Sequence, residues 1–189
     1  MDISINHDAL ALILEAILLS GDKPLSLEQL ESFFSPDEQV TRADLRQGLT
    51  ALRTLCAGRS FELKETASGF RLQTRTQYQQ WVQRHFEERP AKYSRALLET
   101  LALIAWRQPI TRSEIEEVRG VAVNPAILKT LQERDWIRIV GHKEVPGRPA
   151  LWGTTRLFLD YFNLRSLDEL PSLEVLNAET VAEVLLGLE

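Results

Sequence analysis

The sequence predicts a mainly α-helical fold with small β-hairpins (α+β), built as two tandem copies of one pattern. Two observations carry this. First, residues 9–34 and 94–120 run through the same order: an apolar helix, a short turn with a proline, a Ser or Thr, and an acidic second helix. With one residue gapped, Pro24 falls on Pro109, Leu25 on Ile110, Ser26 on Thr111 and Leu30 on Ile115. Few identities match; the shared order is what marks an internal repeat. Second, each copy continues into a third helix and then into two short arms, the order of a helical unit closed by a hairpin.

In the first copy the apolar helix ends before Pro24, and Ser26 predicts the cap of the second helix, because its hydroxyl can accept from a free N–H two or three residues on. Thr41 caps the third helix, with Asp44 at its third position. Leu45, Leu49, Leu52 and Cys56 recur at helical spacing and form its buried stripe. The hairpin spans 60–74. Phe61 and Leu63 alternate with polar residues, Ser68-Gly69 is read as the turn, and Phe70 and Leu72 alternate back. Tyr78, Trp81, Val82 and Phe86 have rough helical spacing and predict a connecting helix that Pro90 ends.

In the second copy Thr111 caps the second helix, and Glu114 three residues on completes a capping box. Asn124 caps the third helix with Pro125 at its first position, where a missing N–H costs nothing. Ile127, Leu128 and Leu131 are its apolar face. The hairpin arms are residues 136–141 and 150–153, joined by a loop in which Pro146, Gly147 and Pro149 interrupt any ladder. Trp136, Leu151, Trp152 and Phe158 are expected in or near the second core. Thr154 or Thr155 starts one more helix through Phe162, and Leu167, Leu170 and Pro171 close the domain.

Three helices and then a hairpin make a winged helix, a variant of helix-turn-helix. The predicted organisation is therefore two tandem winged-helix domains, 1–75 and 94–171, with a connecting helix and linker at 76–93. Residues 172–189 are an acidic amphipathic tail: Val181, Val184, Leu185 and Leu188 share one helical face. Domains this small bury only about 60% of their chain surface and commonly need each other or a partner.

Composition fits a globular protein, with 44% hydrophobic and 26% charged residues in 189. The longest apolar patch, 9–19, contains Glu15 and is too short to span a membrane. The first residues lack the positive region of a signal peptide, so the expected location is cytoplasmic, with no membrane partner. The net charge of −5 is uneven. Residues 91–165 carry a net +4, whereas 166–189 hold six acidic and no basic residues. A dedicated nucleic-acid module is usually basic throughout.

No catalytic constellation emerges. His7, His85 and His142 fall in different elements, with no Cys or His at ligand spacing, so neither a metal nor a cofactor is expected. Cys56 lies on an apolar stripe, where a structural thiol fits better than a nucleophile. Phosphate-binding glycine loops and the G-x-S-x-G elbow are absent. The sequence gives no ground for an enzyme.

A third helix of a helix-turn-helix can enter the DNA major groove. Arg42, Arg46 and Arg53 lie within about 40° of one another around a helix of 3.6 residues per turn. They could touch phosphates, pair at an interface or simply meet solvent. The second copy offers only Lys129 and Arg134, with Glu133 and Asp135 beside them.

Residues 98–121 and 138–155 resemble the segregation and condensation protein B family, and residues 158–171 continue the match. Over 1–75 the likeness rests on element order. Trp106 and Trp152 stand where tyrosine is expected, Asn163 where glycine is common, and residues 122–125 also depart from the family's usual run. The resemblance implies two winged-helix domains in a non-enzymatic subunit of the bacterial condensin-like complex. It implies a homodimer, formed chiefly through the N-terminal domains, that binds the kleisin (segregation and condensation protein A) and through it the SMC ATPase, acting in chromosome condensation and partition. DNA is then reached indirectly, and the location is the cytoplasm at the nucleoid.

On that reading the expected kleisin surface is the exposed part of the shared motif: Trp106, Arg107, Gln108 and Pro109, with Gly147, Arg148 and Pro149. Arginine suits such a surface because it pairs carboxylates in a bidentate way. The glycine and prolines could equally serve only to shape the wing. Arg42, Arg46 and Arg53 are expected to face the dimer or the kleisin. The alternative is a winged-helix transcriptional regulator that binds DNA directly.

Overall fold

Side-chain caps and short cross-strand bridges set the frame of both halves. The computed structural model describes residues 7–86 and 93–170, and the chain divides into two compact units, Met1–Pro90 and Ala91–Glu189. The tail at 172–189 and residues 87–92 of the predicted linker lie outside the described residues.

The first unit contains α1 (His7–Ser20), α2 (Leu27–Glu31), α3 (Arg42–Leu55), the hairpin β1 (Phe61–Thr66) and β2 (Gly69–Thr74), and α4 (Gln79–Phe86). Both predicted caps are in place. Ser26 Oγ accepts from Gln29 N at 3.2 Å, and Gln29 Oε1 accepts from Ser26 N at 2.8 Å. Thr41 and Asp44 form the same reciprocal pair at the start of α3. Leu45, Leu49, Leu52 and Cys56 are all buried, against Leu10, Leu14 and Leu18 of α1, Leu30 and Leu63. Each such leucine contributes roughly 1.5–3 kcal/mol by leaving water. Gly48 is what lets α3 lie close to α1: a Cβ there would stand 2.9 Å from Leu14 Cδ1.

The first wing corrects the expected turn. Its turn is Ala67–Ser68, and Gly69 is already in β2, opposite Thr66. Gly69 has φ +137°, and a Cβ on it would fall 2.2 Å from the Leu25 carbonyl oxygen. Glycine is required here by backbone approach and not by the turn. Leu25 and Phe70 exchange both backbone hydrogen bonds at 2.9 Å, so the segment after Pro24 is a bridge to the wing as well as a turn.

The second unit contains α5 (Arg95–Arg107), β3 (Ile110–Thr111), α6 (Arg112–Arg119), α7 (Pro125–Glu133), β4 (Ile137–His142), β5 (Ala150–Thr154) and α8 (Arg156–Tyr161). Its strands form an antiparallel sheet in the order β3-β5-β4. Strand β3 escaped the sequence reading because two residues show no period. It pairs Ile110 with Trp152 and Thr111 with Leu151, the counterpart of the Leu25–Phe70 bridge. The Thr111–Glu114 capping box and the Asn124 cap with Pro125 form as predicted. Thr155, not Thr154, caps α8, accepting from Phe158 N at 3.1 Å.

The second core is aromatic as well as aliphatic. Trp136, Trp152 and Phe158 are buried in it, whereas Leu151 is only half-buried. Tyr93, Tyr161 and Phe162 pack on Trp136 with ring centroids at 5.3, 4.7 and 5.2 Å. Asn163, just past α8, sits at φ +57°. That left-handed position favours glycine and tolerates asparagine, which explains the substitution noted in the sequence.

Candidate protein-binding site

The predicted kleisin-facing residues separate into two places. Trp106 and Arg107 end α5; Gln108 and Pro109 lead into β3. Gly147, Arg148 and Pro149 lie before β5, at the tip of the wing. Gln108 touches Thr154 at one end of β5, and Pro149 precedes the other end. Five residues of strand separate them by about 17 Å, so the two groups do not form one compact cluster.

Their roles also differ. Gln108 faces inward. Its Oε1 accepts from Thr154 N at 2.7 Å, and its Nε2 donates to Ala105 O at 3.2 Å and to Thr154 Oγ1 at 2.9 Å. A Cβ on Gly153 opposite would stand 2.9 Å from Gln108 Oε1, so a side chain there would have to displace the amide. Its amide ties the end of α5 to β5. Trp106 is half-buried and packs on the second core. Arg107 and Pro109 are exposed, and among the described residues no carboxylate lies within ion-pair reach of Arg107.

At the wing, Gly147 has φ +85° and Arg148 φ +36°. Arg148 N donates to Val145 O at 2.9 Å, and Lys143 N to Pro149 O at 3.0 Å. Both residues shape the loop. The Arg148 guanidinium is exposed and holds Glu144 at 3.0 Å. Lys143 reaches back to Glu114 at 2.6 Å. This bond, joined by those from the Thr111 backbone and hydroxyl, holds the Glu114 carboxyl down at about 2. Sequence reasoning saw the Glu114 cap but missed the lysine that shares it, 29 residues away.

The arginine stripe on α3 also divides. Arg42 Nε donates to Glu31 at 2.7 Å. Arg46 and Arg53 are exposed, with no carboxylate in reach among the described residues. A shallow groove on the same helix is lined by Arg46, Gln47, Thr50, Ala51 and Thr54. On α7, by contrast, Lys129 sits 3.6 Å from Glu133, and Arg134 donates to the Tyr93 hydroxyl at 3.0 Å.

One surface went unnoticed in the sequence. Leu12, Ala16 and Leu19 line one exposed face of α1, with both leucines 58% exposed. The signal was available: Leu12, Ala16 and Leu19 stand at i, i+4 and i+7, an apolar stripe in addition to the buried one at Leu10, Leu14 and Leu18.

Nothing in this geometry resembles a catalytic site. Cys56 is buried, and burial pushes its thiol up, away from reactive thiolate. Among the described residues no group of three His, Cys, Asp or Glu side chains is placed to hold a metal, and no helix is long and apolar enough to cross a membrane.

Comparison with known proteins gives the family. The model of the segregation and condensation complex subunit ScpB matches residues 12–173, nearly the whole chain. The chain belongs to the segregation and condensation protein B family. It is 51% identical over 163 residues to the segregation and condensation protein B homolog of Coxiella burnetii, covering 86% of this chain and 78% of that one. It is 45% identical over 164 residues to segregation and condensation protein B of Syntrophotalea carbinolica, covering 86% and 81%. Among solved structures it is similar to ScpB from Mycobacterium tuberculosis, 33% identical, covering 82% of this chain and 96% of that one, with a TM-score of 0.38. Membership in the ScpB family makes the chain a structural subunit of a chromosome segregation and condensation complex, not an enzyme. The transcriptional-regulator alternative falls with that assignment.

Proposed function

We propose that the protein works as a homodimer that binds the kleisin, segregation and condensation protein A, and through it joins the SMC ATPase at the nucleoid in the cytoplasm. The observation that carries the dimer is α1. Beside its buried face, α1 leaves the apolar stripe Leu12, Ala16 and Leu19 in water, and a second copy of the same face is the self-complementary cover that a two-fold dimer supplies.

The kleisin contact is assigned to Trp106, Arg107 and Pro109 at one end of β5 and to Gly147, Arg148 and Pro149 at the other. Arg107 supports the first group, being exposed with no carboxylate in reach among the described residues. An extended or helical partner segment of about 17 Å would cover both ends. Gln108 contributes by holding Trp106 and Pro109 in place.

Light scattering tests the reading. The protein is 21.6 kDa, so the dimer is expected at about 43 kDa, rising further when the kleisin is added. Leu12→Glu with Leu19→Glu should give a folded monomer. Arg107→Glu with Arg148→Glu should leave the dimer and weaken kleisin capture. A wild-type monomer that ignores the kleisin would refute the proposal.

A further inference from the structure

The wing of the second unit is tied to the body of that unit through one side chain. Residues 142–148 are all exposed. Lys143 N donates to Pro149 O at 3.0 Å, Val145 N to Lys143 O at 2.9 Å and Arg148 N to Val145 O at 2.9 Å. The Arg148 guanidinium holds Glu144 at 3.0 Å. All of these bonds stay inside residues 143–149 and fix the shape of the loop. Among the described residues, the one hydrogen bond or ion pair that leaves the loop runs from Lys143 Nζ to Glu114 Oε1, at 2.6 Å.

Glu114 divides its two oxygens between two tasks. Its Oε2 accepts from Thr111 N and Thr111 Oγ1, both at 2.8 Å, and closes the cap of α6. Its Oε1 is left for the lysine. Thr111 in turn pairs with Leu151 of β5. One carboxylate therefore joins β3, α6 and the wing. Both side chains of the ion pair are more than a third exposed, so the bond adds little to global stability. A loop with few other ties is different: local opening costs far less than global unfolding, and a weak bond decides it. The first unit needs no such tie, because its wing is a two-residue turn beside the Leu25–Phe70 bridge, and its capping box carries Gln29.

We infer that Glu114 and Lys143 are positioning residues: their bond holds the wing against α6 and sets Arg148 and Pro149 in the place from which they meet the partner. This rests on the kleisin contact assigned to the wing above, and neither residue of the pair touches the kleisin itself. The loop's own bonds give it its shape, and Lys143 gives it its place. A loop that samples several places binds in proportion to the time spent in the competent one. Losing the tie therefore lowers affinity without removing a contact.

The test uses the full chain and the full-length kleisin. Lys143→Met keeps the stem and removes the charge. Glu114→Gln can still close the cap with its amide oxygen and turns an amide NH2 toward the lysine. Each should lose about three- to fivefold in kleisin affinity, the two together no more than either alone, and Lys143→Arg should restore binding. In an Arg148→Glu background Lys143→Met should cost nothing further, because it acts through the wing tip. Backbone order parameters for residues 144–148, measured by NMR, should fall from the rigid range near about 0.85 to below about 0.6 in both single variants. If Arg148→Glu weakens kleisin capture and both single variants bind as wild type does, the positioning role is overturned and the kleisin reading stands. If the order parameters do not move, the clamp is overturned, and any loss with Lys143→Met marks the lysine as a direct contact. If Arg148→Glu leaves capture unchanged, the wing drops out of the kleisin reading and the inference falls with it.

Discussion

The two units share one plan and use it differently. Each runs helix, short bridge, capped helix, third helix and hairpin. In the first unit the third helix is long, 14 residues, and its Arg46 and Arg53 have no carboxylate in reach among the described residues. Its wing is closed by a two-residue turn beside the bridge. In the second unit the third helix has 9 residues and its Lys129 is paired with Glu133, while the wing continues through a loop that Lys143 ties to Glu114. One scaffold has left its third helix open. The other pairs Lys129 and Lys143 within itself and leaves Arg107, at the end of α5, exposed. The lesson is that two units of one plan can differ in which of their surface charges they pair internally.

The cores differ too, and here the largest mutational effect is expected. Trp136 holds three other rings together in the second unit, whereas among the described residues the buried side chains of the first are aliphatic apart from Cys56 and Thr66. Trp136→Ala should cost about 3–5 kcal/mol in urea denaturation. A loss under about 1 kcal/mol would mean that the aromatic cluster is not the centre of that core. Next is Gly48→Leu, which pushes α3 off α1 where Leu10 and Leu14 crowd the glycine. It should cost about 1–3 kcal/mol, with α1 less protected from hydrogen exchange. An unchanged melt would show that α1 can move away freely.

Gln108→Ala tests the clamp at the end of α5. It leaves the Thr154 N–H without its acceptor and should cost about 1–2 kcal/mol. Kleisin affinity should fall less than with Arg107→Glu. The reverse order would restore Gln108 as a direct contact and break the separation drawn between holding residues and touching residues.

How much of this could be read from the sequence follows from the range of each interaction. Caps act over two or three residues, so Ser26, Thr41, Thr111 and Asn124 were legible, as was the stripe from Leu45 to Cys56. Strand β3 was not, because its two residues take their conformation from pairing with β5. The Ser68-Gly69 turn was misplaced for a related reason: Gly69 answers to the Leu25 backbone, 44 residues away. The Gln108–Thr154 and Lys143–Glu114 bonds were not legible because the partners are distant in sequence. Surface residues picked by type were thus partly structural clamps. The family, in contrast, was legible from residues 94–171, where the sequence match is long.

The smallest effect sharpens the comparison most cleanly. Gln29 and Glu114 occupy the same place in the two capping boxes, but only Glu114 is charged and only Glu114 takes a lysine from the wing. With its carboxyl held at about 2 in the folded chain and near 4.3 when unfolded, Glu114 stabilises the fold fully above about pH 5. That contribution is lost as pH falls through the unfolded value toward 2. The carboxylate is more than a third exposed, so solvent screening reduces the effect to about 1 kcal/mol. Glu114→Gln gives the second unit the chemistry of the first: the box can still close, and nothing in it titrates. The difference in urea stability between wild type and this variant should be about 1 kcal/mol at pH 7 and vanish by about pH 2. A constant difference across that range would place its origin in packing at the wing, and the two capping boxes would then differ in shape and not in charge.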